Sequence, residues 1–206
     1  MITFDGQHIS PQNNTAPSLE TIALSLARQC RFGGQIRQWY CVLAHSFLVS
    51  DLCRLAPNPT PSHYLVSLLH DAGESVCGDI PTPWKTEADN KRENEILSRI
   101  YDSLGLQHMW PLTIDLAKSI SYFDLLALRA EATLLMPLEV LQKKHSSIEP
   151  ILRGQMNHWE YYALKRAKYY IISCEYNYIE NWLAQGGLMQ TKWIRNVQKS
   201  ITMLTV

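Results

Sequence analysis

Residues 62–81 read SHYLVSLLHDAGESVCGDIP. The apolar run Tyr64–Leu69, followed directly by His70, Asp71 and Glu74, reads as one helix from about Ser62 to Cys77 with three ionisable groups on its last turns. Gly78, Pro81 and Pro83 stop it. The same helical period recurs outward in both directions. Ser18 is placed to cap a helix in which Leu19, Ile22, Ala23 and Leu26 fall at i, i+3, i+4 and i+7, interrupted by Gly33-Gly34. A second helix covers about Tyr40 to Leu55 and ends at the proline-rich residues 57–61. Downstream, a fourth spans about Asp89 to Leu104. A fifth runs from about Leu112 to Gln142, with Pro137 as a break. A sixth, rich in Tyr and Trp, runs from about Met156 to Leu183 and is closed by Gly186-Gly187; Thr191–Val206 reads as a last short helix. Ahead of them all, Ile2-Thr3-Phe4 and Gln7-His8-Ile9 flank Asp5-Gly6, which suits a tight two-residue turn. The expectation is an all-α bundle with a small N-terminal β-hairpin, one domain over residues 1–206.

Composition limits what such a bundle can do. Its 206 residues are 46% apolar and 18% charged, enough apolar surface to bury a core. Nineteen Lys and Arg balance nineteen Asp and Glu, so the formal net charge is zero. That excludes coating a nucleic acid polymer through an overall basic field, and any phosphate site must be made locally by a metal or a few placed cations. The five cysteines form no CxxC pair and are odd in number, so reduced thiols are expected. The start MITFDGQHIS has no signal pattern, and no uninterrupted apolar run approaches the roughly 20 residues of a membrane helix. A cytoplasmic protein, without a membrane partner, is the expectation. The Tyr- and Trp-rich sixth helix reads as core or subunit-interface packing.

The chemistry gathers around His70-Asp71-Ala72-Gly73-Glu74. On a continuous helix, His70 and Glu74 are i, i+4 and Asp71 and Glu74 are i, i+3, so Glu74 shares a face with both. At the end of a buried helix these groups need partners, because an unpaired buried charge is very costly. A metal is the economical partner; cationic side chains are the alternative. A His-Asp pair is half a coordination set. His45, within Val42-Leu43-Ala44-His45-Ser46-Phe47-Leu48, and Asp124, within Tyr122-Phe123-Asp124-Leu125-Leu126, are polar groups inside apolar helices and offer the other half.

The order His, His-Asp, Asp at these spacings resembles the HD-domain metal-dependent phosphohydrolases, above all the compact nucleotide hydrolases of bacteria and phages: 5′-deoxynucleotidases and phage dATP triphosphohydrolases. Residues 31–34 (RFGG) with Trp39 to Ser46 are similar to that family's first-helix region. Leu69 to Glu74 with Gly78 to Lys85 are similar to its signature, and Asp124 with Ala130-Glu131-Ala132 to its last ligand helix. The likeness covers roughly residues 1–140, with the motifs within about 18–140; the helices from about 156 onward would pack on that part or form an oligomer interface. Gln35 stands where relatives often have His, and Leu43-Ala44 precedes His45 where Ala-Gln or Ala-Glu is usual.

The resemblance implies an HD-domain helical bundle in which His45, His70, Asp71 and Asp124 are metal ligands. Glu74 would position or activate the attacking water, Asp79 would be a second catalytic carboxylate, and Lys85 would contact phosphate. Two imidazoles and two carboxylates suit Co, Mn or Zn, with a second Mg or Mn on the phosphates as an option. Arg31 or Arg37 would join Lys85 in offsetting phosphate charge. A base pocket is expected around Phe32, Gly33, Gly34, Gln35 and Trp39, where an aromatic can stack and glycines allow close approach; the other reading of Gly33-Gly34 is a plain helix stop. The implied activity is nucleotide phosphohydrolysis, with dATP cleaved to deoxynucleoside and triphosphate. The alternatives are a deoxynucleoside 5′-monophosphatase, a phosphodiesterase, and a nucleotide-sensing protein with no turnover. A homo-oligomer, dimer or hexamer, is implied as well.

Overall fold

A computed structural model describes residues 1–81, 84–143, 149–151, 155–181 and 188–204. The described residues are mostly helical: α1 Leu19–Arg28, α2 Val42–Cys53, α3 Pro61–Leu69, α4 Glu74–Cys77, α5 Glu87–Ser103, α6 Ile114–Leu135, α7 Leu138–Leu141, α8 His158–Asn181 and α9 Leu188–Leu204. The helices start where side chains can take up the first free backbone N–H groups. Ser18 Oγ accepts from Thr21 N, Thr113 Oγ1 from Leu116 N, and Thr60 and Thr86 close reciprocal caps with His63 and Asp89.

Helix α2 is the axis of the bundle. Eleven of its residues are buried, with no polar face, so it must be surrounded. Helices α1, α3, α6, α8 and α9 pack around it, and α9 also lies across α1 and α3. Trp193 of α9 is fully buried and its indole Nε1 donates to the Leu68 carbonyl, 3.2 Å. On α8, Ala163, Ala167, Tyr170 and Cys174 are buried, and Tyr170 stacks on Phe47 of α2 with ring centroids 5.9 Å apart. The aromatic helix thus packs within this chain. Among the described residues no helix is long and apolar enough to cross a membrane, and all five cysteines are free thiols.

Two expectations are revised. The N-terminal hairpin is reduced to one antiparallel bridge, Ile2 with His8, closed by Thr3 N to Gln7 O at 2.9 Å; the turn forms, but too few residues follow it for a ladder. The helix expected over 62–77 is two helices, because residues 70–73 tighten into i→i+3 turns: Ala72 N to Leu69 O is 2.9 Å and Glu74 N to Asp71 O is 3.0 Å. The long fifth pattern breaks at Pro137 as expected, into α6 ending at Leu135 and α7 starting at Leu138. The expected stops at Pro83 and Gly186-Gly187 lie outside the described residues, as do Thr205 and Val206.

Candidate metal centre

Two histidines from different helices meet with their Nε2 atoms 3.3 Å apart. Each has its other nitrogen tied to an acceptor. His45 Nδ1 lies 2.7 Å from Glu131 Oε1, and His70 Nδ1 lies 2.8 Å from the Ser67 carbonyl. A carbonyl or carboxylate can only accept, so Nδ1 carries the proton in both rings. Both Nε2 atoms then face one point, the arrangement in which imidazoles bind a metal. Asp124 Oδ1 is 2.9 Å from His45 Nε2, while Asp71 Oδ2 is 3.2 Å from His70 Nε2 and 3.6 Å from His45 Nε2. One ligand atom each from His45, His70 and Asp124 fall within 4.8 Å of one another, a cluster that can hold a metal ion. Asp71 groups within the same reach with Glu74 and Glu93 and so stands between two sets of ligands. His45 is fully buried, whereas the Asp124 side chain is 44% exposed, so the centre opens to solvent on the α6 side.

The electrostatics describe a centre loaded with protons. Burial and Arg31 favour neutral His45, but the carboxylates of Glu131 and Asp124 outweigh them and push its pKa up to about 10. Burial also opposes the charge on His70, yet Asp71 and Asp124 raise it. Burial would raise Asp71 and Asp124; the neighbouring histidines hold both carboxyls below the usual range.

Glu74 departs from the sequence expectation. The turn at residues 70–73 removes it from the face shared with His70 and sets it beside Asp71 and Glu93. It is 6% exposed, and its Oε2 is sealed from solvent with no hydrogen-bond partner among the described residues. Burial, then the charges of Asp71 and Asp79, push its pKa up to about 10. Asp79 is half-buried, and its backbone N–H donates to Gln29 Oε1, 2.9 Å. Burial raises its carboxyl, with Arg31 opposing and Asp71 adding to the rise. Lys85 is ion-paired with Glu93, and that pair raises its pKa against burial.

The residues expected to contact substrate, 31–35, are placed as follows. Arg31 faces the protein's own carboxylates, 3.2 Å from Glu131 and 3.7 Å from Asp71, and is 9% exposed. Two internal anions already balance its charge. Phe32 is half-buried with the Arg31 guanidinium 5.6 Å from its ring centroid. Gly33, Gly34 and Gln35 are exposed at the tip of a loop fastened by the Cys30–Cys41 bridge. Arg37 is exposed, its N–H donating to the Leu135 carbonyl at 3.0 Å. A cavity does open on His70, Asp124 and Lys85, but it lies between α5 and α6, and none of residues 31–39 lines it.

Sequence reasoning gave no role to Glu131, Gln29 and Glu93, which help build this site. Glu131, with no exposed surface, accepts from both His45 and the Tyr40 hydroxyl, the latter at 2.9 Å. It stands seven residues after Asp124 on the same face of α6, flanked by Ala130 and Ala132. A lone carboxylate between alanines on an apolar helix was a readable signal for a buried partner. Gln29 joins α1 to the loop, donating to the Glu74 carbonyl at 2.9 Å and accepting from Asp79 N. Glu93 sits in a strongly polar stretch of α5 and carried no such signal.

No family model matches the chain. An uncharacterized protein of Rhodobacter capsulatus is 35% identical over 120 residues, 55% of this chain and 60% of that protein. The uncharacterized protein YfdR of Escherichia coli K12 is 33% identical over 134 residues, 63% of this chain and 68% of YfdR. With that identity extending over more than two thirds of the relative, the chain belongs to the family of YfdR.

Proposed function

We propose that this chain is an HD-type, metal-dependent phosphohydrolase that cleaves a nucleotide. One observation carries the reading: His45 and His70 each have Nδ1 committed to an acceptor and Nε2 turned to a shared point beside Asp71 and Asp124. The donor set, two imidazole nitrogens with carboxylate oxygens, favours Co, Mn or Zn over Ca or Mg. When bound, such an ion lowers the pKa of a coordinated water and draws charge from a phosphate oxygen.

The rest is the work of the chain. Glu131 orients His45 and keeps its Nδ1 protonated, while Arg31 neutralises Glu131 and Asp71. Glu74 takes a proton from the attacking water through its carboxyl group; it must first be ionised, which a cation beside Asp71 favours. Asp79 supplies a second acidic group on the same side. Lys85 leaves Glu93 to meet the phosphate. The substrate reading is a deoxynucleotide, dATP first and a deoxynucleoside monophosphate second, following the resemblance in the motifs. A nucleotide sensor without turnover is the other reading. A sealed carboxyl oxygen with no partner beside the ligands favours the enzyme, since binding alone has no use for it.

The test is chromatography of products from each dNTP and dNMP with Mn, Co, Zn and Mg in turn. Release of triphosphate or phosphate is the expected result, lost in Glu74→Gln while metal binding persists. Absence of either product with every metal and nucleotide removes the enzyme reading.

A further inference from the structure

The cavity between α5 and α6 has a volume of about 270 Å³ and joins the metal centre at one end. Its α5 wall is one helical face, Asn90, Asn94, Leu97 and Tyr101, and its α6 wall is Ala117, Ile120, Ser121 and Asp124. Trp110 also lines it, tilted against Tyr101 with ring centroids 5.2 Å apart. Tyr101 is 1% exposed, and its hydroxyl has no hydrogen-bond partner among the described residues. Asn90 and Asn94 are exposed and Trp110 is half-buried, so their amides and indole N–H are open to solvent and to a ligand in the cavity.

We propose that this cleft, and not the loop at residues 32–35, seats the base of the substrate as a planar heteroaromatic ring; this rests on the phosphohydrolase reading above. The volume is just under the roughly 300 Å³ at which ligand pockets begin, which suits one ring with its sugar in the mouth toward His70 and Asp124. The Trp110 indole offers a stacking face, and Leu97 and Ile120 clamp the ring plane. An asparagine amide presents a donor beside an acceptor, the complement of the adenine N6–N7 edge. Asn94 and Tyr101 are seven residues apart on α5, so one reads an edge of the ring while the other reaches its inner end. With the base there, the phosphate end falls toward Lys85, Asp124 and His70, all on the lining of the same cavity.

The experiment is isothermal titration of the metal-loaded protein with the four deoxynucleosides and with inorganic triphosphate, on wild type, Tyr101→Phe, Asn94→Ala and Trp110→Ala. Circular dichroism melts confirm that each variant is folded. Deoxyadenosine is expected to bind more tightly than the other three. Tyr101→Phe and Asn94→Ala should each weaken it about 3- to 10-fold, the effect of one hydrogen bond. Trp110→Ala should weaken it about 5- to 100-fold through lost stacking, and triphosphate binding should not change in any variant. Equal deoxyadenosine affinity in wild type and all three variants overturns the proposal. So does binding that survives them but is lost in Gln35→Ala. The two readings separate cleanly. A protein that binds deoxyadenosine through Tyr101 and Asn94 but turns over no nucleotide keeps this site and loses the activity. One that hydrolyses nucleotides with wild-type KM after all three substitutions loses this site and keeps the activity.

Discussion

His45 shows how much of this site one residue needs behind it. Its Nε2 can serve a metal only because Nδ1 is held by Glu131, and Glu131 can stay buried only because Arg31 and the Tyr40 hydroxyl face it. Removing the carboxylate charge while keeping the side-chain shape should therefore act at a distance. Glu131→Gln is expected to weaken Zn or Co binding by roughly 10- to 100-fold, measured by competition with a chromophoric chelator. Unchanged affinity would mean that Glu131 serves only the Arg31 pair. At this scale the sequence was readable where polarity contradicted its surroundings. His45 in α2 and Asp124 in α6 stand out from apolar neighbours, and the structure brings both to His70. For Arg31 the sequence offered a phosphate contact but not the internal carboxylates that face it. Those partners lie 40 and 100 residues away along the chain, and nothing local encodes them.

Among the elements, the turn between α3 and α4 decides what reaches the centre. Residues 70–73 abandon the α pattern, which leaves His70 and Asp71 turned toward α2 and sends Glu74 toward α5. Gly73 makes this affordable: a Cβ there would lie 2.7 Å from Glu93 Cγ, 3.0 Å from the Glu93 carbonyl and 3.3 Å from Leu97 Cγ. The glycine is thus a place where another helix approaches closely, not a flexible joint. Gly73→Ala should push α5 outward and destabilise the fold by about 1–3 kcal/mol, as overpacking does. Urea unfolding followed by circular dichroism reads this, and a variant as stable as wild type would show that α5 yields freely. Helix ends set by caps and prolines were legible within a few residues, as at Ser18, Pro61 and Pro137. The break at 70–73 was not, since Ala72 and Glu74 favour a helix and no proline or cap residue marks an end there.

At the scale of the molecule, the neutral charge balance conceals a centre that binds protons more tightly folded than unfolded. On folding, His45 moves from 6.5 to about 10 because burial is outweighed by the carboxylates of Glu131 and Asp124, and Glu74 moves from 4.5 to about 10 through burial and the charges of Asp71 and Asp79. For both, the proton-bound form is the one the fold prefers. Their contribution is complete below the unfolded values and is lost as pH rises toward 10. Asp71 and Asp124 act oppositely: their carboxyls lie below 3.8 when folded, so their contribution fails only in stronger acid. The metal-free protein should therefore be most stable in mild acid and melt at a lower temperature at pH 9 than at pH 6. A metal reverses this slope, because it needs His45 and His70 without their Nε2 protons and displaces more of them at low pH than at high pH. Its stabilisation grows with pH and offsets the loss. Thermal melts across pH 6–9, with a chelator and again with excess Zn, give the two curves. The chelated curve should fall and the Zn curve should flatten or rise. Titration calorimetry in buffers of different ionisation enthalpy should show protons released as the metal binds, fewer at higher pH. If the chelated protein instead grows more stable from pH 6 to 9, the histidines are not held protonated by the carboxylates around them, and the centre is not the preorganised proton-for-metal exchange site that its geometry describes.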